Sequence, residues 1–170
     1  MTNRRTIIKI QRRGGNNNDA IIENHAREII NQMFSTRMAN TLRITIKLRA
    51  GVEKAYNGFC EFRDMSKSST AKSKHYTISI QRDLPLLQQL KTLTHELAHV
   101  EQMATNRLAF RSTYGVYGHF WRPVGHRGAA IKYNAPKGRS NTPWAERPWE
   151  IEAIAADKKY EALAVKNARA

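Results

Sequence analysis

Residues 85–106 read PLLQQLKTLTHELAHVEQMATN. Apolar residues recur in this segment at the spacing of one helix face. The members of this stripe are Leu86, Leu87, Leu90, Leu93, Leu97, Val100 and Ala104. Pro85 is a residue type favoured in the first turn of a helix. The pattern therefore predicts one amphipathic helix from Pro85 to about Asn106, with its stripe buried.

Two histidines of this helix face the same way. His95 and His99 are four residues apart, so their Cβ atoms are expected about 5–6 Å apart. Two bonds of about 2.0–2.1 Å to one zinc ion can bridge that separation. Glu96 lies about 100° round the helix from His95, so its carboxylate can reach a water molecule on the metal. The pattern H-E-x-x-H predicts a metal site with Glu96 as general base. The alternative is an ordinary amphipathic helix that carries two histidines.

A third metal ligand is expected elsewhere in the chain. Catalytic zinc usually has three protein ligands and a water molecule. Glu150 and Glu152 lie at the start of a second predicted helix, over residues 148–166, and a carboxylate there can project onto the motif helix. His119 and His126 lie in the segment after the motif. The residues alone leave these four candidates open.

The remaining patterns predict an α+β fold in one domain over residues 19–170. The predicted elements are a helix over 19–38, strands over 42–49, 58–63 and 75–81, and the last helix over 148–166. Asp19 is the expected N-cap of the first helix. Residues 107–147 are rich in aromatic residues, Gly, Pro and Arg, and are expected to form a hairpin or a long loop that walls a cleft.

The chain is strongly basic. Its 170 residues include 29 Lys and Arg against 14 Asp and Glu, a formal net charge of +15. A surplus of this size favours polyanionic partners through counterion release. Residues 1–18 are expected to form a basic flexible arm that ends in a Gly-Asn run. DNA, RNA or another polyanionic assembly is the expected partner of arm residues Arg4, Arg5, Lys9, Arg12 and Arg13. The alternative is that the charge only keeps the protein in solution.

No membrane segment is expected. No apolar run approaches the roughly 18 residues that cross a bilayer, and residues 1–10 lack the apolar stretch of a signal peptide. We therefore expect a cytoplasmic protein with no membrane partner. Cys60 is the only cysteine, which excludes an intrachain disulfide and a thiolate cluster. Any metal must then be held by histidine and carboxylate.

Two segments carry a resemblance to a known family. His95-Glu96-Leu97-Ala98-His99 and Pro148-Trp149-Glu150-Ile151-Glu152-Ala153, in this order of elements, resemble the small gluzincin-type metallopeptidases. That group includes the ImmA/IrrE-like and minimal gluzincin domains, and the chain looks most like the SprT-like or gluzincin-like proteins of bacteriophages. The resemblance covers most of the chain apart from the basic arm. It implies a minimal zincin-like domain with a small mixed sheet, an H-E-x-x-H helix and a C-terminal helix.

The resemblance also ranks the ligand candidates. In the gluzincin pattern the ligand Glu stands three residues before an Ala, which selects Glu150, before Ala153, over Glu152. In the SprT pattern the third ligand is a His followed by Gly, and neither His119 nor His126 is followed by Gly. The resemblance thus implies Zn²⁺ held by His95, His99 and Glu150.

The expected function is that of a zinc metallopeptidase that hydrolyses a protein or peptide substrate with a metal-activated water. Candidates for stabilising the oxyanion are Tyr114, Tyr117, His119 and His126. One alternative is a basic nucleic-acid-binding or virion-associated structural protein on a zincin scaffold without proteolysis. Another is a metal-stabilised structural protein with a closed coordination shell. A phage-encoded protein of this kind is expected in the host cytoplasm or the virion.

Overall fold

A computed structural model describes residues 6–12, 18–50, 57–62, 75–113, 116–135 and 142–170. Four strands form a mixed sheet, here called sheet A, in the order β1-β2-β4-β3. They are β1 (Ile7–Arg12), β2 (Arg43–Arg49), β3 (Gly58–Phe62) and β4 (His75–Gln81). β1, β2 and β4 run parallel, whereas β3 pairs antiparallel with β4 at one edge. The three predicted strands are confirmed as β2, β3 and β4.

Sheet A has an apolar face and a polar face because residues alternate along its strands. Ile44 and Ile46 of β2 lie in register with Tyr76 and Ile78 of β4, and all four are at most 1% exposed. The face of sheet A that carries these residues packs against the helices and forms the core. The intervening positions share the opposite, outer face. They are Ile7, Lys9 and Gln11 on β1, Arg43, Thr45, Lys47 and Arg49 on β2, His75, Thr77, Ser79 and Gln81 on β4, and Phe59 and Glu61 on β3.

Four helices accompany the sheet: α1 (Asp19–Met33), α2 (Thr36–Ala39), α3 (Leu86–Ala104) and α4 (Pro148–Ala168). α3 lies in the centre of the fold and contacts α1, α4, β3 and β4. Its residues Leu90, Leu93, Leu97 and Val100 are completely buried. The predicted motif helix and the predicted last helix are therefore confirmed as α3 and α4.

A second, antiparallel sheet follows α3. It consists of β5 (Leu108–Thr113), β6 (Val116–Trp121) and β7 (Ile131–Ala135), in that order, and a single 3-10 turn at Trp144–Glu146 precedes α4. The predicted hairpin is thus extended by a third strand. Trp121 of β6 is buried, and its ring lies 6.4 Å from that of Trp149 in α4. This contact fastens the second sheet to the core.

The expectation of one helix over residues 19–38 is wrong at its C-terminal end. Phe34 and Ser35 have extended backbones, with ψ of 146° and 148°, and they separate α1 from α2. The Ser35 hydroxyl accepts a hydrogen bond from the Met38 N–H, so this residue caps a new short helix. The N-cap of α1 is Asn18, and Asp19 is the first helical residue. Local capping by Ser35 therefore overrides the continuous apolar period.

The expectation of a flexible arm over residues 1–18 is wrong for residues 7–12, which form β1. Ile8 and Ile10 alternate with Lys9 and Gln11, and the two isoleucines pack against the core. β1 pairs in parallel with β2 from Ile7 to Arg12. Burying one apolar face of the strand outweighs the charge of its other residues. Arg4, Arg5 and Arg13 lie outside the described residues.

The arrangement confirms the predicted α+β class, with a small mixed sheet, the H-E-x-x-H helix and a C-terminal helix. Among the described residues, no helix is both long enough and apolar enough to cross a membrane.

Candidate metal centre

The histidines of α3 and a glutamate of α4 meet at one point. The Nε2 atoms of His95 and His99 lie 3.3 Å and 3.4 Å from the same oxygen, Oε2 of Glu150. The ligand atoms of all three residues lie within 4.8 Å of one another. This group can hold a metal ion because two imidazole nitrogens and a carboxylate converge from two helices. The structure thus brings together the three ligands that the sequence resemblance favours.

Small residues allow α3 and α4 to approach. Ala98 of α3 and Ala153 of α4 are both buried, and Ala153 lies one turn after Glu150. Trp149, next to Glu150, is only 2% exposed and anchors the first turn of α4 in the core. Pro148 is suited to the first turn, because proline has no backbone N–H and an N–H at that position would have no acceptor within the helix. The start of α4 is therefore fixed, and with it the direction of the Glu150 side chain.

The other ring nitrogen of each histidine is also engaged. His95 Nδ1 lies 2.9 Å from Oδ2 of Asp157, and His99 Nδ1 lies 2.9 Å from Oε1 of Gln102. Carboxylate and amide oxygens accept hydrogen bonds, so each Nδ1 donates its proton. Each Nε2 then faces Glu150, to which it donates a hydrogen bond when protonated, and its lone pair becomes available to a metal when that proton is lost. Sequence reasoning had not singled out Gln102 for this position.

Glu152, an alternative ligand, does not join the group. It lies on α4 two residues after Glu150 and accepts hydrogen bonds from Arg107 Nη1 at 2.6 and 2.9 Å. Gln102 Nε2 also donates to it at 3.2 Å, and to the Trp149 carbonyl at 2.9 Å. Gln102 therefore connects His99 to the start of α4, and Arg107 neutralises Glu152.

The two histidines after the motif also lie outside the ligand group. His119, on β6, stacks on Trp149 with ring centroids 5.1 Å apart and planes at 10°. Burial and the nearby Arg147 charge lower the pKa of His119 to about 4, so its ring is neutral at pH 7. His126 is exposed in the β6–β7 connection and hydrogen-bonds the Ala129 carbonyl. Of the predicted oxyanion candidates, His119 lines the cleft described below, and the side chains of Tyr114 and Tyr117 lie outside the described part.

Glu96 is positioned as the sequence expects, beside the ligands on α3 and only 5% exposed. Burial raises the pKa of its carboxyl group, and this outweighs the opposing charges of His99 and His95. β3 passes close by because Gly58 has no side chain: a Cβ atom there would lie 2.6 Å from Thr92 Cγ2. That same atom would lie 3.5 Å from Glu96 Cγ. The glycine therefore lets an edge strand approach the candidate base.

The ligand group favours positive charge at its centre. Burial alone would lower the pKa of His95, but hydrogen bonds to Asp157 and Glu150 raise it to about 10. Burial alone would raise the pKa of Glu150, but hydrogen bonds with His95 and His99 lower it to about 2. A cation between these groups must displace the protons, and the same electrostatics then attract it.

A cleft of about 750 Å³ opens over the ligand group. β3 contributes one wall through residues 58–60, and Trp144 and Arg147 contribute another. The Trp144 ring stacks near His95 with centroids 6.3 Å apart, and 44% of the residue is exposed. The sequence had not singled out Trp144, Arg147 or Gly58. The aromatic content of residues 107–147 had indicated only that some cleft wall lay there.

Searches of protein-family models, of curated proteins and of solved structures found no match to the chain.

Proposed function

We propose that the protein is a zinc metallopeptidase in which His95, His99 and Glu150 bind Zn²⁺ and Glu96 is the general base. The observation that carries the proposal is the convergence of both Nε2 atoms on one Glu150 oxygen at the floor of an open cleft. The buried carboxylate of Glu96 lines the same cleft. A metal site and a candidate proton acceptor therefore face the same space.

The donor set favours zinc. Two imidazoles and one carboxylate suit Zn²⁺, whereas Ca²⁺ and Mg²⁺ prefer oxygen ligands alone. In the described part of the chain, the ligand group contains three residues rather than four. Three protein ligands leave a coordination position for water or substrate, which is typical of catalytic rather than structural zinc sites. This supports an enzyme over a metal-stabilised structural protein.

The residues around this site then each have a role in hydrolysis. Zn²⁺ bound at this site supplies Lewis acidity toward a carbonyl oxygen and lowers the pKa of a water molecule. Glu96 accepts a proton from the attacking water as the new C–O bond forms, and donates it to the amide nitrogen as the C–N bond breaks. Its raised pKa, caused by burial, helps the carboxyl group to hold that proton between the two steps. Asp157 and Gln102 keep the two imidazoles in the orientation that exposes Nε2.

The cleft suits an extended peptide. β3 is the edge strand of sheet A, and on its outer side it pairs with no other strand among the described residues. An extended peptide can hydrogen-bond to this edge as an additional strand. It would then run past His95, His99 and Glu150, since residues 58–60 line the cleft. Main-chain pairing binds many sequences, so side-chain preference must come from walls such as Trp144 and Arg147.

The test compares Glu96→Gln with Glu146→Gln, which alters an exposed acid in the turn before α4. A fluorescent protein substrate and a mixed peptide library are incubated with zinc-loaded protein, with and without a chelator. We expect chelator-sensitive cleavage by the wild type and by Glu146→Gln. Glu96→Gln is expected to keep its zinc and lose at least 100-fold in turnover, because an amide cannot accept the proton.

Two results would count against the proposal. Full turnover by Glu96→Gln would show that Glu96 is not the general base. Cleavage that survives complete removal of the metal would show that the reaction needs no metal. Zinc binding without cleavage of any library peptide would instead favour the alternative of a zincin scaffold without proteolysis.

A further inference from the structure

Charge is divided unevenly between the helices and sheet A. The helices α1, α3 and α4 carry nine of the 14 acidic residues, namely Asp19, Glu23, Glu28, Glu96, Glu101, Glu150, Glu152, Asp157 and Glu161. The strands of sheet A carry one acidic residue, Glu61 on the edge strand β3. These three helices therefore carry a net negative charge, whereas the strands of sheet A, with five Lys and Arg residues, carry a net positive charge.

Four cations stand on the outer face of sheet A, and we call this group the basic face: Lys9, Arg43, Lys47 and Arg49. Arg43, Lys47 and Arg49 share one side of β2, where alternate residues are about 7 Å apart. Lys9 of β1 lies in register with Thr45, so it is a diagonal neighbour of Arg43 and Lys47. The four charges thus occupy two adjacent strands. Lys9 belongs here because residues 7–12 form a strand.

Among the residues whose side chains the structure describes, no anionic side chain neutralises this group. Glu61 shares the face by its register with Thr77, and β4 separates its strand from β2. Within the described ranges, no carboxylate oxygen lies within 4.0 Å of any of the four cations. The helices behave differently, since Arg27, Lys91 and Lys166 each pair with a glutamate. Clustered like charges repel one another, and a polyanion relieves that repulsion by releasing its own counterions.

The residues between the cations are small and polar. Thr45, Thr77 and Ser79 lie on the same face and are at most 8% exposed. Phe59 of β3 lies in register with Ser79 on the same face and is partly exposed, as is His75 of β4. Aromatic rings beside a positively charged track are the elements that bind single-stranded nucleic acid.

We propose that the basic face binds single-stranded DNA or RNA through its phosphates, with little sequence preference. A flexible single strand can follow the cations along β1 and β2 and present its bases to the partly exposed rings of Phe59 and His75. A duplex is a convex cylinder, and it meets a flat face along only a narrow line of phosphates. This inference does not depend on the peptidase proposal, because the basic face lies on the side of sheet A opposite α3.

The experiment measures fluorescence anisotropy of a labelled 20-nucleotide single strand, and of the matching duplex, at several salt concentrations. Three full-length proteins are compared: wild type, Arg43→Gln/Lys47→Gln, and Lys158→Gln/Lys159→Gln. The last pair is exposed on α4 and gives the same change in net charge. Circular dichroism and thermal unfolding establish that all three proteins are folded.

We expect the wild type to bind the single strand more tightly than the duplex. The change on β2 is expected to weaken binding at least tenfold near 0.1 M salt, and to reduce the slope of log K against log salt by about 1.4. The change on α4 is expected to alter affinity less than threefold. Equal losses for both double variants would overturn the proposal, because binding would then follow net charge alone. Tighter binding of the duplex, or no binding at low salt, would also overturn it.

Discussion

Oδ2 of Asp157 lies 2.9 Å from Nδ1 of His95, whereas Nε2 of the same ring faces Glu150 at 3.3 Å. The carboxylate thus fixes which nitrogen carries the proton and how the ring is turned. Asp157→Ala is expected to weaken zinc binding by about 10- to 100-fold without abolishing it. Competition with a chromogenic zinc chelator measures the affinity. Asp83→Ala, at an exposed acid before α3, is the matched control and is expected to bind zinc as the wild type does. An unchanged affinity in Asp157→Ala would show that His95 needs no such support.

The two histidines of α3 are each expected to be necessary for the metal. His95→Ala or His99→Ala is expected to reduce bound zinc from about one ion per chain to near zero after dialysis, because each removes one of three ligands. Elemental analysis measures the content. His126→Ala removes an exposed imidazole outside the ligand group and is expected to retain the ion. Zinc retained in both α3 variants would exclude the site.

The two glutamates at the start of α4 are expected to differ in their effects. Glu150→Ala should abolish tight zinc binding, since its carboxylate meets both imidazoles. Glu152→Ala should leave zinc bound but lower the free energy of unfolding by about 1–3 kcal/mol, because Arg107 loses a partner in a partly buried network. Zinc titration and urea unfolding separate the two effects. If Glu152→Ala lost zinc and Glu150→Ala did not, the ligand would be Glu152.

His25 makes stability depend on pH. Its ring is completely buried between Thr94 and Asn167, and burial lowers its pKa from 6.5 to about 4. Between these values the unfolded chain binds a proton that the folded chain does not, so stability falls as pH falls from about 6.5 to about 4. This group contributes a loss of about 3 kcal/mol across that window.

Urea unfolding at pH 7 and pH 4.5 tests this dependence. His25→Gln is expected to lose less stability between the two pH values than the wild type, since glutamine does not titrate. The other histidines are present in both proteins, so the difference isolates His25. The exposed His126→Gln variant is expected to behave as the wild type. Equal losses in wild type and His25→Gln would contradict the assignment.

Gly58 is expected to tolerate no side chain. Gly58→Ala would push β3 away from Thr92, lower the free energy of unfolding by about 1–3 kcal/mol and reduce any turnover at the cleft. Gly128→Ala is the control, because its added Cβ atom meets only the exposed His126 side chain. Thermal unfolding compares the two. A Gly58→Ala protein as stable as Gly128→Ala would show that β3 can shift without cost.

The helices at the site were predictable because their signals are local. Leu90, Leu93 and Leu97 recur with the period of one helix face, and His95 and His99 share a turn. The contact of Gln102 with His99 could also have been predicted, because a residue three positions after His99 lies on the same helix face. Residues 34 and 35 show the limit of such reasoning, since one hydroxyl cap interrupts an apolar period that continues beyond it.

The choice between Glu150 and Glu152 depended on tertiary structure. Side chains two residues apart on a helix point about 200° apart, so only one of these glutamates can face the two histidines of α3. The presence of Arg107, which engages Glu152 from outside the helix, has no signature in the local sequence. β1 was missed for another reason: five cations in the first thirteen residues dominated the composition, and the alternation of Ile8 and Ile10 extends over a single short strand.

The position of α3 predicts different rates for two processes, the exchange of its amide hydrogens and the exchange of a bound metal ion. Its backbone amides lie between sheet A, α1 and α4, so deuterium is expected to reach them only when the whole domain unfolds. Its imidazole nitrogens, by contrast, face an open cleft, so an ion can leave or enter while the helix stays intact. Metal exchange within minutes is therefore compatible with amide protection that lasts for days. A helix that opens slowly would then carry a metal ion that exchanges rapidly.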